Sequence, residues 1–159
     1  MANIVCEILV TESPLEASAK NFHGDAGAMI EFWGAVRRFE DGREINGINY
    51  EAHCEMAQHQ LKQIAEQAAE QFGLKLVAIH HRIGFIAVGE PSLIVSVASP
   101  HRSDGFRAAN WIVDELKKKV PIWKRPRFRG VAGIVDVGTY SDDSKHATEG
   151  PGSTIPATI

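Results

Sequence analysis

The run SLIVSVASPHR, residues 92–102, decides the fold. Residues 92–99 are apolar and rich in β-branched side chains, the composition of a central strand. Ser99-Pro100 breaks that strand, and a helix is predicted to begin by about Ser103. Phe106, Ala109/Asn110, Val113, Leu116/Lys117 and Val120 recur at helical spacing, and Pro121 ends the run because it cannot continue the helical ladder. A buried strand therefore turns directly into an amphipathic helix, with His101 and Arg102 at the junction.

Working outward, residues 85–90 form a short strand and turn, and residues 75–84 a strand stopped at Gly84. Residues 55–72 have helical period, with Met56, His59/Gln60, Gln63/Ile64, Gln67/Ala68 and Phe72 aligned and Gly73 as the stop. Residues 45–53 return as a strand, residues 37–43 are a polar loop closed by Asp41-Gly42, and residues 28–36 are a largely buried strand. Ser13 and Pro14 suit the start of a short helix reaching about Phe22, after a first strand over residues 3–10. Downstream, residues 122–126 read as a rigid basic segment and residues 131–138 as one more strand. Residues 141–159 are polar and rich in Gly, Pro, Ser and Thr, the composition of a flexible tail. Strands and helices mix without regular βαβ alternation, so a single α+β domain over residues 1–140 is expected.

The composition narrows the function. The chain has 159 residues, of which 44% are hydrophobic and 23% charged, values that support a packed core. No apolar run approaches the roughly 20 residues needed to span a bilayer, and the first residues lack a basic start, so a cytoplasmic protein is expected. Cys6 and Cys54 form neither a CxxC pair nor a cluster with histidines, so no metal, cofactor or disulfide is expected. Net charge is −3, against a general nucleic-acid binder. Residues 101–130 nevertheless hold nine of the 17 Lys/Arg and only three of the 20 Asp/Glu. A compact basic zone on an otherwise acidic chain fits a focused anionic ligand or a solvated helix face.

Three clusters are candidates for chemistry. In Gly34-Ala35-Val36-Arg37-Arg38 a strand runs into two arginines, which suits a phosphate or carboxylate as well as a solvated loop. At Ser99-Pro100-His101-Arg102 the N–H groups of a helix start favour an anion, and His101 and Arg102 add side-chain donors. In Lys117-Lys118-Lys119-Val120-Pro121-Ile122-Trp123-Lys124-Arg125 some lysines serve the helix C-terminus, and Trp123 is equally a pocket wall or core. His80 and His81, adjacent on one strand, face opposite sides and do not chelate together.

The series F-W-G-A-V-R (32–37), Y-E-A-H-x-E-M-A (50–57), I-H-H-R-I-G (79–84), V-G-E-x-S (88–92), S-P-H-R-x-x-x-F (99–106) and L-K-K-K-V-P-I-W-K (116–124) resembles the large subunit of molybdopterin synthase, the MoaE-like family. The resemblance implies an α/β-hammerhead-like mixed sheet with two main helices and a small β subdomain. It implies a homodimer of large subunits, each end carrying a small ubiquitin-like sulfur carrier with a C-terminal Gly-Gly thiocarboxylate. The assembly is a heterotetramer that moves sulfur to cyclic pyranopterin monophosphate, giving the dithiolene of molybdopterin. Lys117 and Lys124 match the family's catalytic lysines. Arg37, His101, Arg102 and Arg125 match its substrate pocket, part of which comes from the dimer mate. The chain departs from the pattern after Lys124: RPRFRGVAGIVDVG places Gly138 about where a further functional arginine stands, with Arg127 or Arg129 as substitutes. The competing reading is a divergent paralogue that binds the small subunit or pterin without turnover.

Overall fold

The structure is a computed structural model that describes residues 4–17 and 24–130. In chain order its elements are β1 (Val5–Thr11), β2 (Ala28–Ala35), β3 (Phe39–Glu40), β4 (Arg43–Ala52), α1 (Cys54–Phe72), β5 (Leu76–Arg82), β6 (Gly84–Ala87), β7 (Pro91–Ser99), α2 (Arg102–Lys119) and β8 (Ile122–Phe128). Four strands form the main sheet in the order β1-β5-β7-β2. β1 and β5 are parallel, and the other two pairs antiparallel. In a smaller sheet β4 lies between β6 and β8, with β3 folded back on β4 as a hairpin. This is an α+β fold: two helices, a mixed sheet and a smaller β-sheet.

The strand pattern sets the core. Side chains alternate across a sheet, so Val77, Ile79 and His81 of β5 share a face, as do Leu93, Val95 and Val97 of β7. The apolar members of both sets join one core with Ala57, Leu61, Ile64, Ala65 and Ala68 of α1 and Ala108, Ile112 and Leu116 of α2. The buried stripes include Ile64, Ala68 and Phe72 on the first helix and Ala109, Val113, Leu116 and Val120 on the second, as expected, but begin at Ala57 instead of Met56 and at Gly105 instead of Phe106. On α1, Ala57, Leu61, Ile64/Ala65 and Ala68/Ala69 face inward and Met56 is 51% exposed; on α2, Gly105 and Ala108 face inward and Phe106 is 61% exposed. Small residues let the helices lie close to the sheet, and a register that buried Met56 and Phe106 would hold them further off. At Gly105, a Cβ would come 2.8 Å from the Ser99 hydroxyl and 2.9 Å from Ile30.

Two other expectations change. Residues 122–126, read as a rigid basic segment, begin strand β8, whose Ile122–Phe128 ladder pairs with β4. Among the described residues β8 pairs only with β4, and a proline, which has no N–H to give to a ladder, is tolerated on a strand paired on one side. Residues 14–17 of the expected first helix are not helical, and the remainder of that helix lies partly outside the described residues. The expected strand at 131–138 and the tail at 141–159 lie outside them too. The stop at Gly73 is as expected: it adopts φ 62°, ψ 38°, and its N–H donates to the Ala69 carbonyl.

Gly27 ties the fold to the Pro100 turn. Its N–H donates to the Ser99 carbonyl at 3.0 Å, and a Cβ there would collide with the Pro100 carbonyl oxygen, a backbone atom. The β7–α2 junction cannot move aside without shifting its own backbone. Gly27→Ala is therefore expected to destabilise the protein by about 1–3 kcal/mol, read from the midpoint of denaturant unfolding.

Candidate functional site

The structure sorts the candidate residues into two groups. The first lies where β2, the β3–β4 hairpin and β8 meet. Lys124 is on the inward face of β8, with Ile122, and its register partner on β4 is Tyr50. Directly paired residues of antiparallel strands have neighbouring side chains, so Tyr50 and Lys124 stand side by side. The Lys124 ammonium forms an ion pair with Glu40, and the other carboxylate oxygen of Glu40 is 3.7 Å from Arg37. The Lys124 and Glu40 side chains are 5% and 10% exposed, whereas Arg37 is 69% exposed. Two cations thus share one carboxylate, one of them buried and the other at the rim.

The hairpin explains why Glu40 points there. Asp41 and Gly42 have φ 50° and 73°, the left-handed pair of a tight two-residue turn, so Glu40 is held directly opposite Arg43. Phe39, one residue earlier, faces outward at 56% exposure. Behind the pair, burial raises the Tyr50 hydroxyl above the usual phenol range; Glu40 adds to this, while a hydrogen bond with Ser92 and the charge of Arg37 oppose it. Sequence patterns alone did not single out Glu40, Tyr50 or Ser92. The signals were present: a carboxylate placed against an Asp-Gly turn, and a tyrosine two residues from Ile48 on the buried face of a strand.

Lys117, half-buried in the last turn of α2, connects to this group through Val120 and Pro121. The chain between Lys117 and Lys124 spans no more than roughly 18 Å, so the two lysines belong to the same end of the molecule. Arg125 does not join them. It is on the outward face of β8 and pairs with Glu51 at 3.4 Å.

The second group is His101 and Arg102, both exposed at the start of α2. His101 is the N-cap but makes no side-chain capping bond; the Ser99 hydroxyl donates to its carbonyl at 2.8 Å. Fifteen helical residues separate Arg102 from Lys117, about 22 Å along the axis, beyond the combined reach of the two side chains. β2 gives the same answer: Ala28 pairs with Ser99 beside His101, while Ala35 pairs with Pro91 and leads to Arg37. Within one chain the two groups sit at opposite ends and form no common pocket.

Much of the remaining basic zone is matched locally. Lys118 and Lys119 lie 3.7 and 2.5 Å from Glu115, whose carboxyl is held below its usual range first by the Lys119 hydrogen bond. Arg107 is 3.6 Å from Asp104, and Arg129 is 3.1 Å from Glu44. A phosphate-tracking stripe needs a row of uncompensated cations, which this arrangement does not provide. No helix among the described residues is long and apolar enough to cross a membrane, and no His/Cys/Asp/Glu group there could hold a metal ion.

The class the fold defines is an α+β domain with two helices on a mixed sheet, here with basic residues at both ends of the second helix. The family model described as MoaE protein matches residues 9–119, and the chain belongs to the MoaE family. A molybdopterin synthase catalytic subunit from Thermoplasma volcanium is 38% identical over 126 residues, covering 79% of this chain and 92% of that protein. Among solved structures, molybdopterin synthase from Staphylococcus aureus is similar at a TM-score of 0.68 and 30% identity, covering 79% of this chain and 96% of that one. A complex of subunits 1 and 2 of molybdopterin-converting factor from Helicobacter pylori shares the fold, at a TM-score of 0.58 and 17% identity over 86% and 99% of the chains.

The two adjacent histidines do face opposite ways. His80 Nε2 is 2.8 Å from the Glu7 carboxylate. His81 is fully buried, its Nδ1–H donates to the Arg82 carbonyl at 2.8 Å, and its ring meets Tyr50 edge-on at 5.4 Å between centroids. Burial pushes the His81 imidazole down to about 4, with the Arg82 carbonyl opposing. The unfolded chain, with an ordinary imidazole near 6.5, then binds the proton more readily than the native state. Stability is fully present above about pH 6.5 and falls as the pH drops towards 4, by up to about 1.4 kcal/mol per pH unit. Denaturant unfolding at pH 7.5, 6 and 5 should show this loss in the native protein and a shallower one in His81→Phe.

Proposed function

We propose that the chain is the catalytic subunit of a molybdopterin synthase. Sulfur moves from the C-terminal thiocarboxylate of a small ubiquitin-like partner to cyclic pyranopterin monophosphate. The observation that carries this reading is the buried Lys124 beside Arg37 and Tyr50, in a chain 38% identical to a molybdopterin synthase catalytic subunit. Its setting is cytoplasmic, and its ligands are the partner's tail and a small phosphorylated pterin, not nucleic acid or membrane.

The reaction asks for two things. The pterin phosphate needs fixed donors, and the acyl group of the thiocarboxylate needs a cation near its developing oxyanion. Lys117 and Lys124 serve the second need, stabilising the oxyanion and supplying a proton to the substrate oxygen as it is displaced. Arg37 at the rim receives the anionic substrate. His101 and Arg102 are suited to the phosphate, but lie about 22 Å from Lys117 in their own chain. They act in the site of a second copy, so the working enzyme is a homodimer carrying one small subunit at each end. Arg125, turned away from Lys124, has its place at the edge of that assembly.

Reconstitution tests the reading. Purified chain, thiocarboxylated small subunit and cyclic pyranopterin monophosphate should yield molybdopterin, and Lys117→Ala should reduce product to background with an unchanged unfolding midpoint. A stable complex with the small subunit and no product would favour the paralogue without turnover. Composite sites give a second readout. Lys117→Ala and Arg102→Ala, each inactive alone, should regain about a quarter of native activity when unfolded together and refolded, because half the dimers then hold one intact site. No recovery from mixed refolding, with mixed dimers present, would mean that both residues serve the site of a single chain and would overturn the two-copy site.

A further inference from the structure

We infer that Glu40 is a resident counter-anion of this site: a positioning residue that fixes the Lys124 ammonium and occupies Arg37 until an anionic substrate replaces it. The inference rests on the sulfur-transfer reading and deepens it.

The geometry gives the two oxygens of Glu40 different tasks. One pairs with Lys124, and both side chains in that contact are nearly sealed from water. The other is 3.7 Å from Arg37, a separation longer than a hydrogen bond, and Arg37 is mostly in solvent. A buried ion pair is costly to break, because separation leaves charge in a poorly solvated place. A solvent-exposed pair at 3.7 Å is weak and exchanges easily. An arriving phosphate or carboxylate therefore takes Arg37 and leaves Lys124 on Glu40.

The support for Glu40 is rigid. The turn at Asp41-Gly42 pins it against Arg43, and the Ile45 N–H donates to the Arg38 carbonyl at 2.9 Å, closing the loop on its other side. Upstream, the Val36 N–H donates to the Glu90 carbonyl at 3.0 Å and the Gly89 N–H to the Val36 carbonyl at 2.8 Å, which anchors the base of the Arg37 segment. Lys124 is fixed by the β4–β8 register. A long, flexible lysine thereby acquires one position, and a reacting group gains rate from being held where it is needed.

A structural ion pair and a resident counter-anion predict different results. Glu40 opposes substrate binding electrostatically while supporting the reacting step, so charge and reach separate the two effects. Glu40→Gln keeps reach and removes charge; Glu40→Asp keeps charge and shortens reach by one methylene. Each variant is assembled with the small subunit. Calorimetry gives Kd for cyclic pyranopterin monophosphate, and single-turnover assays give the rate of product formation. Glu40→Gln should bind the pterin roughly three- to tenfold more tightly. Glu40→Asp should bind it like the native protein but turn over about ten- to a hundredfold more slowly. Unchanged or weaker binding by Glu40→Gln, with a native unfolding midpoint, overturns the counter-anion role. An unchanged rate in Glu40→Asp overturns the positioning role. If the native assembly itself makes no product, the sulfur-transfer reading fails, and Glu40 is judged on Kd alone: tighter binding by Glu40→Gln keeps the counter-anion, equal binding removes it.

Discussion

The molecule is organised by the fixed length of one strand–helix pair. β7 is hydrogen-bonded on both edges, to β5 and β2, and almost all of its residues are buried. It can neither slide nor bend without breaking two ladders at once. α2 follows from it and returns along the same layer, packed on β7 and β2. The two ends of this unit are therefore held at a constant separation. One end presents His101 and Arg102; the other presents Lys117 and, through β8, Lys124. The proposed two-copy site rests on that spacing, because the two candidate groups cannot meet within one chain.

The smaller sheet adds precision at the lysine end. The register of β4 against β8 places Tyr50 beside Lys124 and sends Arg125 to the other face. A slip of one residue would exchange Lys124 for Arg125 and present the pocket with an exposed, Glu51-paired guanidinium. Ile122, buried at the start of β8, opposes such a slip because it would turn outward. Hydrophobic burial of a neutral residue thus helps determine which cation faces inward beside Tyr50.

Much of this was legible in the sequence. The apolar run at 92–99, the Gly73 stop and the Asp41-Gly42 turn locate elements by local chemistry alone. The motif series pointed to the family and offered Lys117, Lys124, Arg37, His101, Arg102 and Arg125 as site candidates, of which Arg37 and Lys124 meet on one carboxylate. Three kinds of information were not accessible. The first position of each helix stripe was misread, because Met56 and Phe106 are more hydrophobic than Ala57 and Gly105, the small neighbours that the close helix–sheet spacing selects. β8 was hidden behind a proline and three basic residues, a composition that does not read as a strand. Glu40 was passed over because its buried partner, Lys124, lies 84 residues further along the chain, and only the fold brings the two together.

The alanine-lined helix faces have a further consequence, in the entropy of folding. Ala57, Ala65, Ala68, Ala69, Ala108 and Ala109 are all buried, and alanine has no side-chain rotamers to lose when it is ordered. This layer is thus assembled at a lower conformational cost per residue than one built from methionine or phenylalanine. The same economy removes its adaptability: a face made of methyl groups has no torsion angles with which to accommodate an added carbon. Sequence change in this protein should therefore be concentrated on the outer sides of α1 and α2, while the buried alanine positions admit little beyond Ala, Gly and Ser.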